Sequence, residues 1–237
     1  MINYNRLPLE HAYNVRDLGG YASANGMPTN YHRYLRSDDI STLTNADIKL
    51  LLDYGVTKVI DLRSVSETMN NVDKLKDMPN ITYVNIPFMK GTIDNVMNAK
   101  NIVLKDFYID LLKDKSLVNS IMSELAKPIS GCLLFHCSAG KDRTGIVSML
   151  LLSLVGVSSA DIISNYEVTF TYLMSNPKLR NYMANSNFDL SLMHSDPSSI
   201  SACLDFIYDN YASTEKYLLD CGLSIEQINS IKKNFVS

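Results

Sequence analysis

Short apolar runs separated by polar turns mark the first part of the chain. Val56–Leu62 and Ile81–Ile86 are short and rich in β-branched residues, which predicts two strands. Cys132–Phe135 is apolar at every position, as in a strand buried inside a parallel sheet. Asn45–Tyr54 carries apolar residues at helical spacing and stops at Gly55, which predicts an amphipathic helix.

Helical periodicity dominates the rest of the chain. One helical pattern covers Ile102–Ala126 with an expected break near Asp114, and another runs from Arg143 through Leu154. From Ser159 to Ser237 only helical spacing is present. Further breaks are expected at Pro177, at His194–Pro197 and at Gly222. The chain therefore predicts one α/β domain over residues 1–237, with a mostly parallel central sheet flanked by helices and a helical elaboration over residues 159–237.

Two of the predicted C-terminal helices have two interpretations. Ile200–Tyr211 and Thr214–Leu219 could form a lid over a pocket, which would restrict access to it. They could equally be packing elements, which is the commoner role of such helices.

Composition limits the class of protein. Hydrophobic residues make up 46% and charged residues 20%, which is typical of a globular protein with a sizeable core. The net charge of -3 argues against a nucleic-acid partner, which requires a basic face. No apolar run approaches the roughly 20 residues of a membrane helix, so no integral membrane segment is expected.

Neither metal nor disulfide chemistry is indicated. The four cysteines form no C-x-x-C pair, and His11, His32 and His194 are scattered without ligand spacing. We therefore expect no metal site. The N-terminus shows no signal peptide, which predicts a cytoplasmic protein and leaves open export by a route without such a signal. The sequence makes no prediction of the oligomeric state.

The ten residues HCSAGKDRTG, His136 to Gly145, carry the strongest chemical signal. A strand before them and a helix after them would place this loop at the carboxyl edge of a sheet, where α/β folds bind ligands. Backbone N–H groups and the helix N-terminus would form a concave anion site. Arg143 adds a planar fork for two phosphate oxygens. The predicted phosphate-binding residues are Ser138, Ala139, Gly140, Lys141, Asp142, Arg143 and Thr144.

Cys137 lies at the base of this predicted cradle. A thiol beside cations and a helix N-terminus loses its proton more readily than an isolated cysteine, and a thiolate facing a bound phosphate is a nucleophile. Arg143 would stabilise the charge that spreads over the transferring phosphoryl group. Thr144 could donate to the thiolate and His136 could brace the loop. The alternative is a chance C-x5-R, which the flanking strand and helix make a poor explanation.

These residues resemble the H-C-x5-R-[ST] signature of the cysteine-dependent protein tyrosine phosphatases. The Gly-Lys-Asp form is similar to that of the bacterial tyrosine and lipid phosphatases, a family that includes secreted enzymes of Mycobacterium and Listeria. The resemblance extends to Asn14–Gly20, Arg33–Asp38, Val59–Ser64 with Glu67, and Gly156–Tyr166. It covers most of the chain.

The resemblance implies the cysteine phosphatase fold and a two-step mechanism without metal or organic cofactor. Cys137 would form a phosphocysteine, which water then hydrolyses. The implied substrate is a phosphotyrosine protein. Some members also accept phosphoserine, phosphothreonine or phosphoinositides, and Lys141 stands where phosphoinositide phosphatases of the wider superfamily also carry lysine.

The general acid for the leaving group has three candidates. The sequence has no tryptophan and so lacks the W-P-D loop of the classical enzymes. Asp142 lies in the phosphate loop itself, and its alternative role is to orient an arginine. Asp94 lies in a predicted loop after Pro87-Phe88 and could move in, whereas Asp61 ends a strand and favours a structural carboxylate.

Arg16 and Arg63 complete the set of candidate supporting residues. Arginines beside an aspartate or a strand end usually hold loops, and Arg16 is also a candidate substrate contact. Three other functions are open: a phosphoinositide phosphatase with little activity on proteins, a phospho-dependent binding protein, and arsenate reduction or sulfur transfer on a similar loop.

Overall fold

A computed structural model describes residues 2–89, 103–185 and 193–236. Its centre is a five-stranded sheet with the spatial order β1-β2-β5-β3-β4. The first strand pairs antiparallel with the second, and all other pairs are parallel. The strands are β1 Arg16–Asp17, β2 Tyr34–Ser37, β3 Val56–Asp61, β4 Thr82–Asn85 and β5 Cys132–His136. The predicted mostly parallel sheet is confirmed.

Helices cover both faces of this sheet and make up the C-terminal third of the chain. Among the described residues they are α1 Asn45–Asp53, α2 Val65–Asn70, α3 Leu104–Lys113, α4 Lys115–Leu125, α5 Asp142–Leu154, α6 Ser159–Leu173, α7 Pro177–Asn185, α8 Pro197–Tyr211, α9 Thr214–Asp220 and α10 Ile225–Phe235. The break predicted near Asp114 is confirmed, because this residue ends α3 and caps α4 by accepting the N–H of Leu117. No described helix is both long and apolar enough to cross a bilayer.

Strand β5 is the central element of the sheet. All five of its residues are buried, because β2 and β3 flank it and helices cover both faces. The register places Ser37 and Asp61 on either side of His136. The carboxyl ends of three neighbouring strands therefore meet at one edge, where β5 leads into the loop that precedes α5.

Helix α5 forms the middle of the main hydrophobic core. Every one of its thirteen residues is buried, because the helix packs between the sheet and the C-terminal helices. The same core cluster includes Ile60 and Phe135 of the sheet and Ile207 and Leu218 of the C-terminal helices. The side chains of Ile207 and Leu218 are fully buried, which supports packing as the role of α8 and α9 rather than a lid.

Three elements are absent from the sequence prediction. Strands β1 and β2 contain two and four residues, which is too short for a periodic pattern. Helix α2 is a single short helix that begins with a capping box between Ser64 and Glu67. Asp94 lies outside the described residues.

Candidate active site

The predicted phosphate loop, called the phosphate loop below, runs from Cys137 to Arg143 between β5 and α5. Gly140 adopts a positive φ of 64°, and a Cβ on it would lie 2.5 Å from the carbonyl oxygen of Ser37. Only glycine fits this position, since another residue would meet both backbone strain and a clash with backbone. Cys137, with 2% of its surface exposed, lies at the base of the loop.

The outer side of the phosphate loop is anchored through its carbonyl groups. Asn14 Nδ2 donates to the carbonyl oxygens of Ala139 and Gly140 at 3.2 and 3.1 Å. Arg36 Nη2 donates to the same Gly140 oxygen at 2.6 Å. These bonds fix the carbonyl groups of Ala139 and Gly140.

Arg143 is held by a carboxylate from α2. Its Nη1 and Nη2 each lie 2.8 Å from one oxygen of Glu67. Ser138 Oγ donates to the same carboxylate at 2.6 Å. Glu67 is placed by the capping box, in which it also accepts the N–H of Ser64 at 2.8 Å. The guanidinium is thus fixed in one plane before any substrate binds.

The electrostatics of this pair confirm a strong contact. Burial alone would raise the pKa of Glu67, but the hydrogen bonds and charge of Arg143 lower it to about 2. Burial would lower the pKa of Arg143, and Glu67 and Cys137 raise it above the ordinary value. Both groups are therefore charged at neutral pH.

Asp142 and Lys141 form a second ion pair at the start of α5. Lys141 Nζ lies 3.3 Å from Asp142 Oδ1 and 3.4 Å from the carbonyl oxygen of His194. The Tyr108 hydroxyl donates to the same Asp142 oxygen, and the Tyr166 hydroxyl lies 2.7 Å from the Tyr108 hydroxyl. Burial and the charge of Asp142 raise the pKa of both tyrosines, so both remain protonated donors.

His136 supports the loop from beneath. Its Nδ1 lies 3.3 Å from the carbonyl oxygen of Cys137, and its Nε2 lies 3.1 Å from Asp73 and 3.5 Å from Asp61. Burial would lower the pKa of His136, but the two carboxylates raise it above 6.5. The predicted bracing role thus has a physical basis in a buried charge network.

Asp61 and Arg63 form an ion pair beside that network. Arg63 Nη2 lies 2.6 Å from Asp61, and its Nη1 lies 3.0 Å from Asp39. The Tyr83 hydroxyl also donates to Asp61, at 2.9 Å. Although burial acts to raise it, the pKa of Asp61 is lowered by His136 and Arg63. Asp61 is fully buried and ionised, which favours the structural carboxylate over the acid.

Within the described residues, one group could hold a metal ion. Potential ligand atoms of Asp61, Asp73 and His136 lie within 4.8 Å of one another. These atoms already bond to each other and to Arg63, so ion pairing accounts for the cluster.

Arg16 and Thr144 occupy different parts of the site. Arg16 Nη2 donates to Asn14 and Thr169 at 3.0 and 2.8 Å, and its Nη1 donates to the carbonyl of Asn165 in α6. These contacts favour a loop bracket over a substrate contact. Thr144 Oγ1 is buried and has no hydrogen-bond partner among the described residues.

Several contacting residues are absent from the sequence-predicted site. They come from distant parts of the chain and are Asn14, Arg36, Glu67, Asp73, Tyr108 and Asn165. Glu67 had one available signal, the S-x-x-E spacing of a capping box. Its bond to Arg143 spans 76 residues and follows no local pattern.

Comparison with known proteins identifies the family of the chain. A sequence model of the tyrosine phosphatase family matches residues 7–237. A tyrosine-protein phosphatase of Nostoc commune is 30% identical over 213 residues, which cover 84% of this chain and 72% of that protein. The triple specificity protein phosphatase PtpB of Mycobacterium tuberculosis is 25% identical, with 94% of this chain and 96% of PtpB covered.

A solved structure of TpbA from P. aeruginosa in complex with phosphotyrosine is 19% identical. It has a TM-score of 0.36 and covers 65% of this chain and 87% of TpbA. A second TpbA structure has a TM-score of 0.38 and 18% identity, with 70% and 98% covered.

The chain is an enzyme that hydrolyses phosphoric monoesters. It belongs to the tyrosine phosphatase family, whose sequence model it matches over almost its full length. The resemblance seen in the sequence is confirmed.

Proposed function

We propose that this enzyme hydrolyses phosphotyrosine through a phosphocysteine on Cys137. The Cys137 sulfur forms a bond to phosphorus while the bond to the phenolic oxygen breaks, and the phenol leaves with a proton from a general acid. Water then attacks the phosphocysteine, which releases inorganic phosphate and returns the thiolate. The observation that carries the proposal is Arg143, fixed by Glu67 beside the loop that holds Cys137.

The other loop residues have supporting roles in the proposal. Backbone N–H groups of residues 138 to 143 bind the phosphoryl oxygens, as their anchored carbonyls favour. The unpartnered hydroxyl of Thr144 donates to the thiolate. Arg143 pairs with two phosphoryl oxygens and stabilises their charge as the phosphoryl group transfers.

Asp142 is the proposed general acid. It belongs to the loop between β5 and α5, and its contacts with Tyr108 and Lys141 within the described residues both involve Oδ1, so Oδ2 can face the leaving group. Tyr108 donates to Oδ1 of Asp142, and Lys141 Nζ lies 3.3 Å from the same oxygen. Asp94 stays a prediction, because it lies outside the described residues.

The acid assignment has a sharp test in Asp142→Asn. With phosphotyrosine, whose phenol is a poor leaving group, we expect kcat to fall about 100-fold. With p-nitrophenyl phosphate, whose leaving group needs less help from an acid, the loss should be much smaller. Equal losses on both substrates would contradict the assignment.

The nucleophile is tested by hydrolysis of a phosphotyrosine peptide with chelator present. The wild type should be active and Cys137→Ser inactive. The matched control Cys221→Ser should stay active, because Cys221 is a buried thiol at the C-terminal cap of α9 and not part of the loop. A wild type that is inactive on peptides and phosphoinositides would overturn catalysis and favour phospho-dependent binding.

Lys141 supports phosphoinositides as a second substrate class. Lys141 is a buried cation within the phosphate loop, where it could meet a second phosphate of an inositol ring. Parallel assays on phosphoinositides and phosphotyrosine peptide, with Lys141→Met, test this. Selective loss of lipid hydrolysis is expected if Lys141 recognises the inositol headgroup.

A further inference from the structure

Four buried arginines surround the phosphate loop, and they divide into two kinds. Arg63 binds the carboxylates of Asp61 and Asp39, and Arg143 binds that of Glu67. Arg16 and Arg36 form no ion pair with any carboxylate of the described ranges, and every acceptor that they bind is neutral. A buried charge without a counter-ion is costly, so its presence needs an explanation.

Arg36 is the closer of the two to the phosphate loop. It is fully buried in β2, its Nη2 donates to Gly140 O and its Nη1 donates to Asn165 Oδ1, both at 2.6 Å. Burial lowers the pKa of Arg36 to about 10, and the charge of Cys137 is among those that oppose the lowering. The guanidinium is therefore still charged at neutral pH and lies within electrostatic range of the nucleophile.

Arg16 adds to the same positive region. Burial, and then the charge of Arg36, lower its pKa well below the ordinary value. One acid whose charge acts on Arg16 is Asp38, whose carboxylate accepts the N–H groups of residues 13 and 14. Burial raises the pKa of Asp38 to about 6, so Asp38 is mostly ionised at pH 7, but it forms no ion pair with Arg16 or Arg36 among the described residues.

The other cations that face Cys137 are each paired with an acid. Arg143 binds Glu67, and Lys141 lies 3.3 Å from Asp142. His136 lies between two carboxylates. Arg36 alone among these neighbours lacks an acidic partner in the described part of the chain, and its charge is available to an anion in the loop.

We propose that Arg36 is an electrostatic and positioning residue of the phosphate site. It holds the Gly140 carbonyl, and it supplies the uncompensated positive charge that stabilises the Cys137 thiolate and the bound phosphate. Its substrate role rests on the proposed function, whereas its action on the thiolate does not. Asn165 preserves this charge, because an amide accepts from the guanidinium without neutralising it.

Asn165→Asp separates charge from position. The two side chains have the same shape, Arg36 keeps its acceptor, and the Tyr21 hydroxyl that now accepts from Asn165 Nδ2 at 2.9 Å can donate instead. The new carboxylate neutralises Arg36 in place. The matched control is Asn210→Asp, which adds the same charge on the exposed side of α8.

The readouts are the pH profile of Cys137 alkylation by iodoacetamide, followed by mass spectrometry of its peptide, and the affinity for vanadate. For Asn165→Asp we expect the alkylation midpoint to rise by about 1 pH unit and vanadate to bind about 10-fold more weakly. Asn210→Asp should match the wild type. An unchanged alkylation midpoint in a folded Asn165→Asp protein would overturn the proposal. That result is expected if Arg36 only holds the loop in place and its charge does not act on the Cys137 thiolate.

Arg36→Lys and Arg36→Met give an independent comparison. Lysine keeps the charge and should keep the midpoint within a few tenths of a pH unit, whereas methionine should raise it. Arg33→Met, at the residue just before the start of β2, controls for the change in net charge. If the midpoint shifts as expected but the wild type hydrolyses no phosphoester, the proposed function fails and the thiolate role of Arg36 stands.

Discussion

Replacing Glu67 with glutamine removes one negative charge from the contact that orients Arg143. The side chain keeps its shape, and glutamine also suits the capping box of α2. The amide can accept from only one of the two guanidinium nitrogens that now lie 2.8 Å from the carboxylate. Arg143 therefore becomes a buried cation with an incomplete partner.

The structure sets the size of this effect. The pKa of Glu67 is about 2 instead of 4.5, and one unit corresponds to about 1.4 kcal/mol, so the ionised form contributes about 3 kcal/mol to folding. This contribution is present above pH 4.5 and is lost as the pH falls toward 2. We expect Glu67→Gln to lose about 2–3 kcal/mol at neutral pH.

Urea unfolding with and without vanadate is the assay. Vanadate offers Arg143 a new anionic partner, so it should stabilise Glu67→Gln more than it stabilises the wild type. We expect kcat/KM for phosphotyrosine peptide to fall about 10–100-fold, because the guanidinium loses its fixed plane.

Glu124→Gln is the matched control. Its carboxylate pairs with Lys58 and Lys127 and has the same side-chain exposure of 12% as that of Glu67, but it lies on α4 away from the loop. It should lose stability without a change in activity or in the response to vanadate. Wild-type stability and kcat/KM in Glu67→Gln would refute the reasoning.

Three further predictions concern the loop and its supports. Gly140→Ala should lower the free energy of unfolding by more than about 2 kcal/mol and abolish vanadate binding. The control Gly26→Ala, also at positive φ but with nothing within 4 Å of the added Cβ, should lower it by about 1 kcal/mol, as unfolding midpoints will show. Tyr108→Phe removes a donor from Asp142, so the alkaline limb of the kcat profile for phosphotyrosine should move to higher pH if Asp142 is the acid; an unmoved limb argues against that role. The pKa of His136 is raised in the folded protein, so its charge stabilises the fold fully below pH 6.5 and less as the pH rises through the folded pKa. In that range the unfolding free energy of His136→Asn should depend less on pH than that of the wild type.

The sequence by itself determined the strand, loop and helix that present Cys137 and Arg143. These features could be predicted because they are contiguous: β5 is apolar throughout, Gly140 permits the turn, and α5 follows at once. A local signal of this kind depends only on backbone geometry and spacing. The mostly parallel sheet and the helical C-terminal third follow from the same kind of evidence.

Only the tertiary structure decided which charges are paired. Glu67 reaches Arg143 across 76 residues, and Arg36 reaches Gly140 across 104. Whether a buried arginine meets a carboxylate or an amide depends on how β2, α2 and α6 pack around the loop. No periodicity in the sequence records that packing, because ion pairs form between side chains that the fold brings together from distant parts of the chain.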